Sequence, residues 1–531
     1  MTGSTSEIPA TPSRQRIPAT PSRRRFAVVV AATAALVGGL SALVFLVRAG
    51  GDPTDAATWP ITWELRSSDN GTLFQFWQDV VAGRELDWSF SPQVFVFPEL
   101  PVSGVAFVLA GGDLYVHYAV VAVIHQVGFF LLLTALARTL WPSAPAPAAV
   151  LRGVAGTLPL LLLPLVGTSW VFSFHLASTY YAGMYLALLG APLLLLVRSM
   201  PARIAVAAGL ALTLASNPLT LLFAAPGLLA VAVATVLRSG WRALREPAIL
   251  AGAVAVTALA ARFVMTPLQG TGLLTYMDVD VFRRRLNDLW PYWAFQMGDP
   301  AARVLLPLGA LLAVGSLLAA AAAWVRLAGN RGLEVDRRAF AIVYFGLIPL
   351  GGLAATIVAF ITHYYYFWPV LVLPFVLAAF AVPARVLPHV AIAGAAALVV
   401  VGAVTGGAQN LTQLERYAGY RGAETECLDR SVPGGIGFAT FSDARRVALP
   451  SATGIRLIPV TADLAPNLWL TNRAYARRET GTFFYLNARG DERALDGETI
   501  RARFGAAHRV VTCAEGQSIW VYDEALSVHD G

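Results

Sequence analysis

Asp69 is the first residue whose type and setting could do chemistry. It follows the first long apolar run, 26–47, and precedes a stretch, 72–82, with Leu73, Phe76, Trp77 and Val80 at helical spacing. A carboxylate there can accept a proton; its structural alternative is an N-cap, because Asp before an amphipathic run commonly starts a helix. Arg262 is the one arginine set inside a clearly apolar run, 258–265. That marks it as an anion site, against the alternative of snorkelling to headgroups. His175 with Tyr180 and Tyr181, and His363 with Tyr364, Tyr365 and Tyr366, fall at ends of apolar runs, where an aromatic belt is the plainer account. His125 lies mid-run and reads as an interhelical hydrogen-bonding residue, with a proton relay as second choice. Arg283, Arg284 and Arg285 read as the solvated face of a loop helix, or as contacts for an anionic lipid head.

These residues must be positioned by elements suited to a bilayer. Of 531 residues 56% are hydrophobic and 13% charged, where soluble domains carry about a quarter charged, which excludes a soluble enzyme. The mean hydropathy of +0.61 comes from charge-free runs near the ~20 residues that cross a membrane. All 39 basic residues are arginine and outnumber 32 acids, for a net charge of +7. No basic patch interleaved with aromatics lies on a soluble segment, so nucleic acid is excluded as a partner.

Residues 1–25 carry the tandem repeat IPATPSRQR–IPATPSRRR, whose Pro, Ser and Arg content builds no core. This predicts a disordered cytoplasmic tail before an uncleaved first span, its arginines orienting the chain, with a docking arm as the alternative. The loop 49–113 is acidic and is expected outside. Arginines then collect on alternate sides of runs at 114–137, 154–170, 179–196, 204–237, 248–265, 304–325, 340–362, 364–382 and 386–404. Ser216-Asn217-Pro218 splits 204–237 into two short helices. The expectation is about eleven spans over 26–407, with the N-terminus cytoplasmic and the C-terminus extracytoplasmic.

From 408 to 531 the composition becomes that of a soluble α/β domain. Strands are predicted at 435–441, 455–460, 482–486, 509–512 and 518–522, with a helix at 497–504. Cys427 and Cys513, the only cysteines, suit one disulfide in an oxidising compartment; two buried thiols are the alternative.

No Walker loop, GxGxxG, HExxH, GxSxG or metal-spaced His/Cys cluster occurs, so ATPase, dehydrogenase and metalloprotease readings lack support, and no metal ligands are assigned. The order of Asp69, the amphipathic 72–82, a Pro-containing segment 91–101, Gly111-Gly112-Asp113 and the second span resembles membrane glycosyltransferases of the GT-C class. The likeness is to the protein O-mannosyltransferase and aminoarabinose-transferase-like group. Ser216-Asn217-Pro218 and the segment from His363 to Pro369 are similar to its paired short helices and late aromatic-proline span. The chain departs from that group in having Asn70 where a second acid is frequent, and His117 where a basic residue is common near the second span.

The resemblance implies a polytopic helical fold with interfacial helices in the first loop. It also implies transfer, with inversion, of a sugar from a polyprenyl-phosphate donor. In that reading Asp69 is the base, Arg262 and His117 hold the donor phosphate, and His175, Tyr180, His363 or Tyr364 touch sugar or acceptor. Partners would be membrane lipid, the lipid-linked sugar and a glycan, lipid or protein acceptor of the cell envelope; a divalent metal requirement stays open. The alternatives are a transporter or flippase of a lipid-linked substrate, disfavoured by the absence of an internal repeat, and a non-catalytic envelope scaffold.

Overall fold

The computed structural model describes residues 23–49, 67–166, 170–270, 279–329, 336–358, 364–404, 421–487, 494–514 and 516–528. Residues 1–22 and His363 lie outside them; the last three residues of the repeat, Arg23–Arg25, predicted as tail, instead open the first helix.

The membrane part is helical. Its helices are α1 (Arg23–Ala49), α2 (Ser68–Val81), α3 (Glu99–Leu109), α4 (Leu114–Leu140), α5 (Ala146–Val166), α6 (Trp170–Ala177), α7 (Ala182–Leu196), α8 (Met200–Ser216) and α9 (Leu219–Ser239). They continue with α10 (Arg245–Met265), α11 (Val279–Gln296), α12 (Pro300–Gly329), α13 (Arg337–Gly346), α14 (Ile348–Val358), α15 (Trp368–Leu371), α16 (Leu373–Phe380) and α17 (Leu387–Val404). Among the described residues eight helical segments are long and apolar enough to cross a membrane, so the chain is built as a multi-pass membrane protein.

Three of the eleven predicted spans, those giving α7, α8 and the α15–α16 pair, are shorter, and the backbone shows why. The run at 179–196 starts its helix only at Ala182, because Tyr181 has φ 68° and ends any helical path through it. The run at 364–382 divides at Val372, just before Pro374 at the start of α16. The run at 204–237 breaks between Ser216 and Leu219 at Asn217-Pro218, where the sequence predicts it. Burial is uneven: 72% of the most apolar window of α5 is covered by protein, against 17% in the segment containing α10. Thus α5 sits centrally, against α1, α4, α16 and α17, whereas α10 lies at the periphery beside α8.

In the C-terminal part, α18 (Ala423–Ser431), α19 (Phe441–Ala448), α20 (Arg473–Arg478) and α21 (Gly497–Phe504) accompany one five-stranded sheet. Its strands are β1 (Ile436–Thr440), β2 (Arg456–Val460), β3 (Gly481–Asn487), β4 (Arg509–Ala514) and β5 (Gln517–Leu526), in the order β2-β1-β3-β5-β4. β1 runs parallel to β2 and β3, and β5 antiparallel to β3 and β4. All five fall where alternating β-branched and aromatic residues predict them. Cys427 in α18 is disulfide-bonded to Cys513 in β4 at a sequence separation of 86. Closing so long a loop stabilises by about 4–5 kcal/mol in the chain-entropy treatment. Cys427→Ser in the full chain is expected to lose most of that, read as a lower denaturant midpoint for the C-terminal part.

Candidate functional site at the loop helix

The site is built around α2. Its N-cap residue is Ser67, so Asp69 stands inside the first turn and does not cap the helix. The positive end of the helix dipole favours its carboxylate. An amphipathic interfacial helix ordinarily lays its apolar face in lipid, and here the structure differs. Leu73 is buried, Phe76 packs on Trp88 and Phe90, and the Trp77 indole N–H donates to the Leu100 carbonyl at 3.1 Å. Protein covers that face because the loop after α2 folds back over it, satisfying the same apolar demand that lipid would.

The C-terminal part closes the other side. The Ser68 hydroxyl reaches the Phe441 and Ser442 carbonyls at 2.6 and 2.8 Å. Gly71 permits this approach, since a Cβ there would lie 2.5 Å from Leu449 Cδ1. Asn70 is fully buried; its Oδ1 accepts from the Thr179 amide at 2.9 Å, and its carbonyl accepts from the Thr179 hydroxyl at 2.9 Å. At the far end of α2, buried Asp79 pairs with Arg84 at 2.9 Å and accepts from Asn472 Nδ2 at 3.0 Å and from the Tyr475 hydroxyl. Asp87 pairs with Arg473 at 2.6 Å and also with Arg477.

Arg445 of α19 is the residue that gives the site its chemistry. It is buried at 4% exposure. Its Nε donates to Gln75 Oε1 at 2.7 Å, its Nη1 to the Ser68 carbonyl at 3.3 Å, and its Nη2 to the Leu470 carbonyl. The guanidinium is thus held beside the first turn of α2. Burial pushes the half-buried Asp69 carboxyl up to about 6, with Arg445 pulling it back toward the charged form. Burial lowers Arg445 to about 10, with Asp69 and Asp79 opposing that, so it remains a cation at neutral pH.

Glu99, which sequence reasoning treats only as one of many loop acids, opens α3 at 2% exposure. Its Oε1 accepts from the Gly183 amide at 3.0 Å. Burial raises its carboxyl to about 7, against the pull of hydrogen bonds from backbone amides.

The remaining sequence candidates are engaged elsewhere. His117 is fully buried on α4, with Nε2 at 2.9 Å from Ser103 Oγ, tying α4 to α3. The turn between them runs through Gly111 and Gly112 at φ 60° and 84°, and the Asp113 carboxylate caps α4 on the Tyr115 and Val116 amides. His175 Nε2–H donates to the Leu160 carbonyl at 2.8 Å while its Nδ1 accepts from the Trp368 indole at 3.0 Å. Tyr180 is buried against Phe95, Phe174 and Tyr181. Tyr364 begins a 3-10 turn ahead of α15.

Arg262 works as a clamp. Nη1 donates to the Ala215 carbonyl at 2.9 Å and Nη2 to the Pro92 carbonyl at 2.6 Å, joining the end of α8 to the first loop. With the Gln269 amide turned to present its oxygen, Nε and Nη2 also reach that oxygen at 2.9 Å. Arg262→Ala leaves those carbonyls unpaired and is expected to destabilise by about 2–3 kcal/mol, seen as a lower melting temperature in detergent. Arg262→Lys should recover only part, lacking the fork.

Comparison with known protein families, curated proteins and solved structures yields no match for this chain.

Proposed function

We propose that this protein is a membrane glycosyltransferase moving a sugar from a polyprenyl-phosphate donor to a cell-envelope glycan, lipid or protein. The reaction lies on the side that carries α2 and the C-terminal part, which we take as extracytoplasmic. The single observation that carries this reading is the placement of Arg445: a buried cation that donates to the Ser68 carbonyl at 3.3 Å, beside the first helical turn that bears the Asp69 carboxyl, in a helix enclosed by loop and C-terminal part.

In the proposed step the acceptor hydroxyl gives its proton to Asp69 as its oxygen bonds to the anomeric carbon. The bond from that carbon to the phosphate oxygen breaks, and the electron pair leaves with polyprenyl phosphate, inverting the anomeric centre. Arg445 is a positioning residue: its three nitrogens are held by protein acceptors, and it acts by keeping Asp69 in the ionised, proton-accepting form. Arg262 and His117 hold protein groups, so a phosphate role for either requires those contacts to exchange.

The test is transfer of labelled sugar from a polyprenyl-phosphate donor by the purified chain in vesicles, with Asp69→Asn as the control. A pH dependence follows. A base near pKa 6 works ionised, so kcat/KM should climb through about pH 6 and level off above 7. Stability runs the opposite way. The folded state keeps this proton more tightly than the unfolded chain, whose carboxyl titrates near 3.8, so the contribution is full below about pH 4 and lost as pH rises through 6.

A further inference from the structure

A cavity of 1860 Å³ lies among α7, α8, α9 and α10 and runs along most of the length of α10. It is larger than the roughly 300–1,000 Å³ of small-molecule sites and elongated along the helices. Along α10 it extends from Glu246 to Arg262, a rise of about 24 Å at 1.5 Å per residue, most of the ~30 Å hydrocarbon depth. Its walls are aliphatic, among them Leu214, Leu228, Ala251 and Val254.

Charge gathers at one end. Arg198, Arg203, Arg238, Arg337 and Arg338 line it against Glu246 and Asp336, for a net charge of +3. Arg203 is partly neutralised by Glu246 at 2.5 Å, Arg337 donates to the Thr139 carbonyl, and Arg338 lies over the Trp141 ring at 5.5 Å. Arg198 is exposed and makes no hydrogen bond or ion pair among the described residues. An apolar trench open over most of a bilayer's depth, with a surplus of arginines at one mouth, matches one chemistry: an anionic headgroup carrying long hydrocarbon chains. Basic pockets between membrane helices bind anionic lipid heads by the same physics, since a guanidinium forks onto phosphate while apolar walls take up the chains.

We infer that this groove is a binding site for an anionic phospholipid, its phosphodiester held by the arginine mouth and its acyl chains laid between α8, α9 and α10. The inference is independent of the sugar-transfer reading, because the arginine mouth lies at the other end of α10 from Arg262 and is read by binding, not turnover.

The experiment uses the purified full chain in detergent, titrated with palmitoyl-oleoyl phosphatidylglycerol or phosphatidylcholine and followed by native mass spectrometry and melting temperature. The anionic lipid should be retained as a discrete adduct and raise the melting temperature, and phosphatidylcholine should do neither. Replacing Arg198 and Arg238 together by Gln should weaken retention by at least about tenfold, and replacing both by Lys should restore most of it. Ala251→Trp, which leaves every arginine in place but narrows the trench between α8 and α10, should weaken the adduct. Equal retention of both lipids, or an adduct indifferent to the Gln pair and to Ala251→Trp, would overturn the inference. So would an equal rise in melting temperature with inorganic phosphate alone, since that would assign the mouth to a free anion without a lipid tail.

Discussion

Asp69→Asn is expected to express and fold like the parent chain while transfer falls by about 10²–10⁴-fold, the range for removal of a positioned base. The substitution is close to isosteric, and Asn keeps the size and hydrogen-bonding capacity of the side chain at the second position of α2. Stability at neutral pH should stay level or rise, because burial raises the Asp69 carboxyl to about 6 and so disfavours the charge that Asn lacks. The result separates base from helix-former: loss of a helix-terminal interaction costs only ~1 kcal/mol and would leave turnover nearly intact. Parent-like transfer by well-folded Asp69→Asn would remove Asp69 from the mechanism.

Arg445→Ala should have the largest effect on stability, about 3–5 kcal/mol. It strips a buried cation from the Gln75 side chain and the Ser68 and Leu470 carbonyls, and leaves Asp69 without its nearby positive charge. Urea denaturation in mild detergent would read the loss. Where the variant still folds, the pH midpoint of transfer should move up, since Arg445 is what draws the Asp69 carboxyl back down against burial. Arg445→Lys is the sharper variant: it keeps the charge but not the three-way hydrogen bonding. It should hold the pH midpoint near 6 while losing part of the stability. A midpoint unmoved by Arg445→Ala would leave the arginine purely structural.

Much of this was legible in the residues. Runs of about 20 apolar residues, Asn217-Pro218 as a helix break and the five strands of the C-terminal sheet all follow from local rules. Each depends on neighbours within a dozen positions. Whether a run of 15 to 18 residues spans was not legible, because Tyr181 in the left-handed region and the interruption at Val372 shorten α7 and the α15–α16 pair.

The candidate residues divide the same way. That Asp69 begins a helix, and that Arg262 sits in an apolar run where its charge must be answered, are statements about adjacent residues. Which groups answer them is not. Arg445 belongs to an Arg445-Arg446 doublet on a short amphipathic helix, and nothing nearby tells which of the two turns inward. Arg446 instead pairs with Glu424 and Asp443 in the C-terminal part. Likewise His175 finds Leu160 and Trp368, and Arg262 finds Ala215 and Pro92, across separations that leave no periodic trace. The sequence by itself determined the apolar segments, the strands and the acid at the head of the loop helix, since transfer of side chains from water is close to additive along the chain. Only the tertiary structure decided that the helix is roofed by protein and that a buried arginine from α19 faces its first turn, because such pairing depends on close approach in three dimensions, which one-dimensional patterning does not encode.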